Sequence, residues 1–237
     1  MKFEHPLQTG ILIKRYKRFL ADVETNAGMI TIHCPNTGSM TGCAEPGSKV
    51  WFWDSKNPQR KYRHSWELVQ NSQGDLICIN THRANHLIKE AIVNQTLAHF
   101  EYDEILTEVP YGDEKSRIDI LLRHNNSKTW IEVKNVTLLE TDKASNGQGY
   151  FPDAVTSRGT KHLRELISQV DKGDRAVLIF CVQHSGITSV EAAAHIDPLY
   201  AKTLQQAAAA GVEIIAAKTF ISDQEITVVG QLPVILA

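Results

Sequence analysis

No stretch of this sequence approaches the roughly 20 consecutive apolar residues that a membrane-spanning helix needs, and its first residues lack the signal-peptide pattern. The expectation is a cytoplasmic protein with no membrane partner. Cysteine is scarce, and Cys34, Cys43, Cys78 and Cys181 form no Cys-x-x-Cys pair. That spacing argues for reduced thiols and against a disulfide framework. Also missing are a Gly-x-Ser-x-Gly elbow, a Walker A loop, a Gly-x-Gly-x-x-Gly turn after a strand and a His-Glu-x-x-His zinc helix. Their absence removes the familiar hydrolase triads, P-loop phosphate chemistry, dinucleotide binding and metalloproteases from consideration. A strong net charge is absent too, the formal value being -2. That average hides a split: residues 1–80 hold ten Lys and Arg against seven Asp and Glu, and the remainder holds fifteen against twenty. Two modules with different electrostatic tasks are expected, at 1–80 and 81–237.

What is present begins with ordinary globular composition, 42% hydrophobic and 22% charged. The first module shows short apolar runs at 10–13, 19–23, 29–32, 50–53, 66–69 and 76–79, separated by turns such as Asn26-Ala27-Gly28 and Glu45-Pro46-Gly47. Strands this short and this evenly spaced predict a small β-barrel of OB type. Two runs interleave cations with rings: Lys14-Arg15-Tyr16-Lys17-Arg18-Phe19 and Arg60-Lys61-Tyr62-Arg63-His64-Ser65-Trp66. On strands they would offer phosphate-contacting charge and stacking planes, which makes Lys14, Arg15, Arg18, Lys61 and Arg63 candidate nucleic-acid contacts. The competing reading, a core of rings beneath solvated cations, fits each run alone as well. Between them, His33, Cys34 and Cys43 are three soft ligands with no fourth at a zinc-like spacing, so a rigid loop is the expected outcome.

The chemistry concentrates further on. Arg117-Ile118-Asp119-Ile120-Leu121-Leu122 and Thr129-Trp130-Ile131-Glu132-Val133-Lys134 read as two arms of a hairpin around a polar turn. Residues two apart share a face, so Glu132 and Lys134 lie on the side of Trp130, opposite Ile131 and Val133. A carboxylate from each of two neighbouring strands, beside an amine, is a set suited to a hard divalent cation such as Mg2+ or Mn2+. Lys134 would then orient the attacking water. The order Asp, spacer, Glu-x-Lys resembles the PD-(D/E)XK nuclease signature, with Asp119, Glu132 and Lys134 at its three defining positions. A surface salt-bridge ladder is the plain alternative.

The surroundings favour the nuclease-like reading. Leu87, Ile88, Ala91 and Ile92 recur at helical spacing over residues 81–100, and Glu90 on the opposite side is a candidate third carboxylate, with Glu108 as rival. A loop over 138–151 follows the hairpin. A second helix over 154–170 puts Leu163, Leu166, Ile167 and Val170 on one face and Arg158, Lys161, His162 and Glu165 on the other, with Arg158 and Lys161 as candidate backbone contacts. An apolar strand at 176–182, a helix at 198–210 and a strand at 212–217 complete a mixed sheet flanked by helices.

Five blocks carry a closer likeness: Arg15-Tyr16-Lys17-Arg18-Phe19; His33-Cys34-Pro35-Asn36-Thr37-Gly38-Ser39-Met40; Ser116-Arg117-Ile118-Asp119; Ile131-Glu132-Val133-Lys134-Asn135-Val136-Thr137-Leu138; and Gly149-Tyr150-Phe151-Pro152-Asp153-Ala154-Val155-Thr156. In this order they resemble the sugar fermentation stimulation protein A family. The resemblance implies an OB-like domain ahead of a nuclease-like α/β domain. It also implies DNA binding with little sequence preference and a regulatory role in sugar (maltose) metabolism. The sequence leaves the oligomeric state open, a homodimer being one option. Asp119, Glu132 and Lys134 are all intact. A regulator that only grips phosphates has no need of them, and two uncompensated carboxylates beside DNA predict a bound divalent cation. Three readings therefore compete: a non-enzymatic DNA-binding protein, a Mg2+-dependent nuclease acting on DNA or RNA, and a sugar sensor for which no residue speaks.

Overall fold

The computed structural model describes residues 1–97, 100–140 and 147–236. Its first third is built from β1 (Gln8–Tyr16), β2 (Leu20–Thr25), β3 (Gly28–His33), β4 (Lys49–Asp54), β5 (His64–Gln70) and β6 (Leu76–Cys78). β1 pairs with β2 and β4, β2 with β3, and β4 with β5, while a parallel bridge from His33 to Ser65 joins β3 to β5. Five strands thus close into an OB barrel, and β6 continues the sheet beyond β5. Leu12, Val23, Ile32, Val50, Phe52 and Trp66 fill its interior. The strands form because these β-branched, aromatic and aliphatic residues fall at alternate positions. Gly10 is needed for a close crossing: a Cβ there would lie 2.4 Å from Val23 and 2.6 Å from the Glu24 carbonyl oxygen.

The rest of the chain adds α1 (Arg83–Val93), β7 (Glu104–Tyr111), β8 (Ser116–His124), β9 (Ser127–Val136), β10 (Leu138–Leu139), β11 (Gln148–Phe151), α2 (Ser157–Asp171), β12 (Arg175–Val182), β13 (Ser189–Ala192), α3 (Pro198–Ala209), β14 (Glu213–Ile221), β15 (Ile226–Leu232) and β16 (Val234–Ile235). The main sheet runs β15-β14-β12-β9-β8-β7 and is mixed, with β9, β12 and β14 parallel at its centre. Apolar β12, buried from Ala176 onward, is the middle of the sandwich. Ile120, Leu122, Ile131 and Val133 face α1, whereas Leu121, Trp130 and Val136 face α2 and α3. The expected order of helices and strands is present. A four-stranded sheet, β10-β11-β13-β16, and the edge strand β15 come in addition. Of the loop expected over 138–151, residues 138–139 and 148–151 are strands, and 141–146 lie outside the described residues. Of the first helix expected over 81–100, positions 98–99 likewise lie outside them, and α1 ends at Val93 with Asn94 as C-cap.

The barrel is joined to the sandwich by polar contacts. Glu67, fully buried on β5, accepts from Trp53 Nε1 at 3.1 Å and Asn80 Nδ2 at 2.9 Å, and it binds Arg83 Nε at the start of α1. Beside it β6 meets the turn after β12: Cys78 N–H donates to the Gln183 carbonyl at 3.0 Å and Ser185 N–H to that of Leu76 at 3.0 Å.

His184 sits inside this seam, accepting the Gly186 amide proton at Nδ1. Burial holds its pKa down to about 4 against an ordinary 6.5. The unfolded chain takes up a proton near pH 6.5 that the folded protein refuses until far lower. Stability attached to His184 is therefore complete above pH 6.5 and lost as pH falls through 4. Urea unfolding at pH 5 should show about 2 kcal/mol less stability than at pH 7 from this group, a difference that His184→Gln should abolish.

Candidate active site

β8 and β9 are paired from His124 and Ser127 as far as Ile120 and Ile131, and there the ladder stops. The next position on each strand is Asp119 and Glu132. Asp119 turns its Oδ2 into the gap and accepts the Val133 amide proton at 2.7 Å, filling with a side-chain oxygen what the ladder leaves open. Its Oδ1 accepts from Asn85 Nδ2 of α1 at 2.8 Å. Burial, and next the charge of Glu132, push the Asp119 carboxyl up to about 6.

Glu132 is 2% exposed. Lys134 Nζ lies 2.6 Å from its Oε1, and His162 Nδ1 of α2 contacts the same oxygen. Burial raises this carboxyl, but the Lys134 ammonium and the His162 hydrogen bond outweigh it and leave Glu132 below the ordinary carboxylate value. Its other oxygen, Oε2, is buried without a hydrogen-bond partner among the described residues. Arg158 Nε lies 3.4 Å from His162 Nε2. With Arg158 donating there, Nδ1 of His162 carries the proton directed at Glu132. The hydroxyls of Tyr111 on β7 and Tyr200 on α3 are also buried and unpaired among the described residues, and burial followed by the Glu132 charge raises both phenols.

Asp119, Glu132 and Lys134 therefore converge. Glu90 does not join them: its carboxylate binds the Met1 amino group at 2.9 Å, and that group also donates to Ile226 of β15, at the far edge of the sheet. Five positions separate Glu90 from Asn85, so the two point to different sides of α1 and only Asn85 reaches Asp119. Glu108, the rival, stands opposite Asp119 across an unbroken β7–β8 register, with a left-handed backbone (φ 55°), and is exposed. Among the described residues no three His, Cys, Asp or Glu side chains gather as a metal site. Cys34 instead contacts the Asn36 carbonyl and Met40, and Cys43 contacts the Thr41 and Thr137 carbonyls, with burial pushing the Cys43 thiol up to about 12.

The expected phosphate contacts divide. Arg15 is a clamp, its guanidinium donating to the carbonyls of Arg18 at 2.8 Å, Gly38 at 2.9 Å and Asn36 at 3.0 Å. Arg63 makes a two-pronged pair with Asp54 at 2.5 Å, Lys161 donates to the Glu114 carbonyl, and Lys14 lies 3.6 Å from Asp22. Arg18, Lys61 and Arg158 are exposed. The α2 face expected in solvent is partly buried: His162 and Glu165 are 4% and 3% exposed. Glu165 accepts the Glu114 amide at 2.7 Å and that of Asp113 at 3.2 Å, and Trp66, the ring ending the second basic run, is barrel core. His162 and Asn85 are the site residues that sequence reasoning missed.

Sugar fermentation stimulation RE-domain sequences match residues 82–225, and the SfsA N-terminal OB domain matches residues 13–79. The chain belongs to the SfsA family. A sugar fermentation stimulation protein homolog of Shewanella frigidimarina is 58% identical over 227 residues, covering 94% of this chain and 95% of that protein. Its counterpart in Aeromonas hydrophila is 51% identical over 236 residues, covering 98% and 95%. The solved structure of Pyrococcus furiosus SfsA in complex with Ca2+ superposes with a TM-score of 0.85 at 25% identity, over 99% of this chain and 97% of that one. The family likeness thus extends across both the barrel and the sandwich.

Proposed function

We propose that this SfsA-family chain binds DNA with little regard to sequence and hydrolyses its phosphodiester bonds with a divalent cation held by Asp119 and Glu132. The observation that carries the reading is the meeting of those carboxylates where β8 and β9 part, with the Lys134 amine 2.6 Å from Glu132. The residues fit a hard cation. Both candidate ligands are oxygen donors, Glu132 Oε2 is buried without a partner among the described residues, and burial, followed by the charge of Glu132, raises Asp119. The Ca2+ held by the Pyrococcus furiosus relative agrees with that preference.

A bound Mg2+ or Mn2+ would offset phosphate charge and acidify a water molecule. The side chains have separate tasks. Asn85 of α1 and the Val133 amide of the neighbouring strand fix Asp119, and His162 of α2 fixes Glu132. Lys134 orients the attacking water and balances the charge that builds on the phosphate. Arg158, exposed one helical turn before His162, contacts the backbone of the strand.

The test combines cleavage with binding. Purified protein incubated with Mg2+ or Mn2+ should cut DNA and stop when EDTA is added; absence of cutting on single-stranded DNA, duplex DNA and RNA alike would end the hydrolytic reading. Binding should weaken roughly 40-fold between 50 and 200 mM salt if Arg18, Lys61 and Arg158 supply three phosphate contacts. The burial of Glu132 and the closeness of Lys134 Nζ to His162, 3.3 Å, favour a second reading: DNA binding bridged by the cation without cutting, in the service of sugar (maltose) regulation. Binding that depends on Mg2+ with no product formed would decide for it.

A further inference from the structure

Beside the catalytic residues a cleft of about 240 Å³ lies between barrel and sandwich. Asn36, Thr37 and Gly38 of the β3–β4 loop line one side, and Thr81, Asn135 and Tyr150 are among the residues lining the other. Its lining is close to the site along the chain, although no site residue lines it. Asn135 follows Lys134 on β9, and Thr81 stands four residues before Asn85, whose amide holds Asp119.

The cleft is built in advance. Asp153 Oδ2, from the segment after β11, accepts from Ser39 Oγ at 3.1 Å and from the Met40 amide at 3.4 Å. A Cβ on Gly38 would stand 2.7 Å from that same carboxylate oxygen and push it off Ser39 and Met40. Asn36 Oδ1 accepts the Gly38 amide at 2.8 Å, Thr81 Oγ1 donates to the Pro35 carbonyl at 3.4 Å, and the Arg15 clamp holds the loop from behind. A ligand entering here meets walls that these hydrogen bonds already hold in place.

The lining also selects. Among the described residues no Lys or Arg borders the cleft, and its one charged group at neutral pH is the Asp153 carboxylate, so a phosphate is not at home in it. Hydroxyls of Thr37 and Thr81, the Asn135 amide and the Tyr150 ring suit the uncharged part of a nucleotide, its base and sugar. The space takes one such unit and not a stacked pair. A base inside a duplex cannot enter without leaving its partner.

We infer that the cleft seats one unpaired nucleoside, so the substrate of the adjoining site is a single strand or an unpaired strand end and not a continuous duplex. This rests on the nucleic-acid reading above and adds the class of substrate. The experiment uses the full chain in EDTA, which prevents metal-dependent cutting, and DNA carrying 2-aminopurine either at an unpaired end or within a blunt duplex. Emission should change at least about twofold on binding for the first and stay unchanged for the second. Thr37→Trp fills the cleft from an exposed loop position, and with an unaltered melting temperature it should weaken binding of the unpaired-end DNA about tenfold and leave blunt duplex unaffected. Equal emission responses in the two DNAs, or a Thr37→Trp protein that binds both as wild type does, would overturn the inference. Restoring Mg2+ or Mn2+ separates the two proposals. Cutting without preference for unpaired DNA removes the cleft and keeps the hydrolase; a seated 2-aminopurine that is never released as product keeps the cleft and removes the hydrolase.

Discussion

Lys134→Ala is expected to slow DNA cleavage by about 100- to 1,000-fold while changing DNA affinity less than about twofold, as measured by product formation and by binding in EDTA. In the proposed hydrolysis the ammonium acts on the water and on developing phosphate charge, and half-buried as it is, it offers little to a DNA backbone. The substitution also removes the nearest positive charge from Glu132, whose carboxyl then rises toward the value that burial alone would impose. A loss of stability follows, so a melting curve must accompany the kinetics. Lys134→Arg separates the causes: it keeps a cation near Glu132 and restores stability, but a planar guanidinium does not reproduce the point charge of the amine and cleavage stays low. If Lys134→Ala cuts at the wild-type rate, the amine has no part in the chemistry.

The largest effect on stability is expected at Glu67. Its carboxylate is fully buried and satisfies Trp53, Asn80 and Arg83 at once, and Glu67→Ala leaves the Arg83 charge and two polar hydrogens without it. Breaking one side of such a pair costs about 3 to 5 kcal/mol. The urea midpoint should fall accordingly, and a change below about 1 kcal/mol would show that water takes over the three contacts.

Much of this architecture is legible from local pattern. The barrel strands alternate, β12 is apolar from Ala176 onward, and the Glu132-x-Lys134 spacing fixes a shared face whatever lies around it. The partners across the fold are not legible. Nothing near His162 distinguishes it from a solvated helix position, because its burial is produced by α3 and β9 closing over α2 from distant parts of the chain. Glu90 misled for the same reason: helical spacing says which residues share a side, but which side meets Asp119 depends on where the N-terminal segment docks. The basic runs were legible as composition only. Arg15 and Arg63 spend their charge on Gly38 and its neighbours and on Asp54, contacts that a one-dimensional reading does not reveal. Strands β10, β13 and β16 are two to four residues long, too short for periodicity to register.

The seam around Glu67, Cys78 and His184 sets how the molecule comes apart. A fragment beginning near residue 82 would keep Asp119, Glu132 and Lys134 but lose the Glu67 carboxylate facing Arg83, the β6 partner of the Gln183 to Ser185 turn, and the Asn36–Gly38 loop that walls the cleft beside Asn135. Heat or urea is therefore expected to unfold the chain in a single transition, and two separate transitions would show that the seam does not couple barrel and sandwich. An isolated RE segment would misrepresent what the intact chain does.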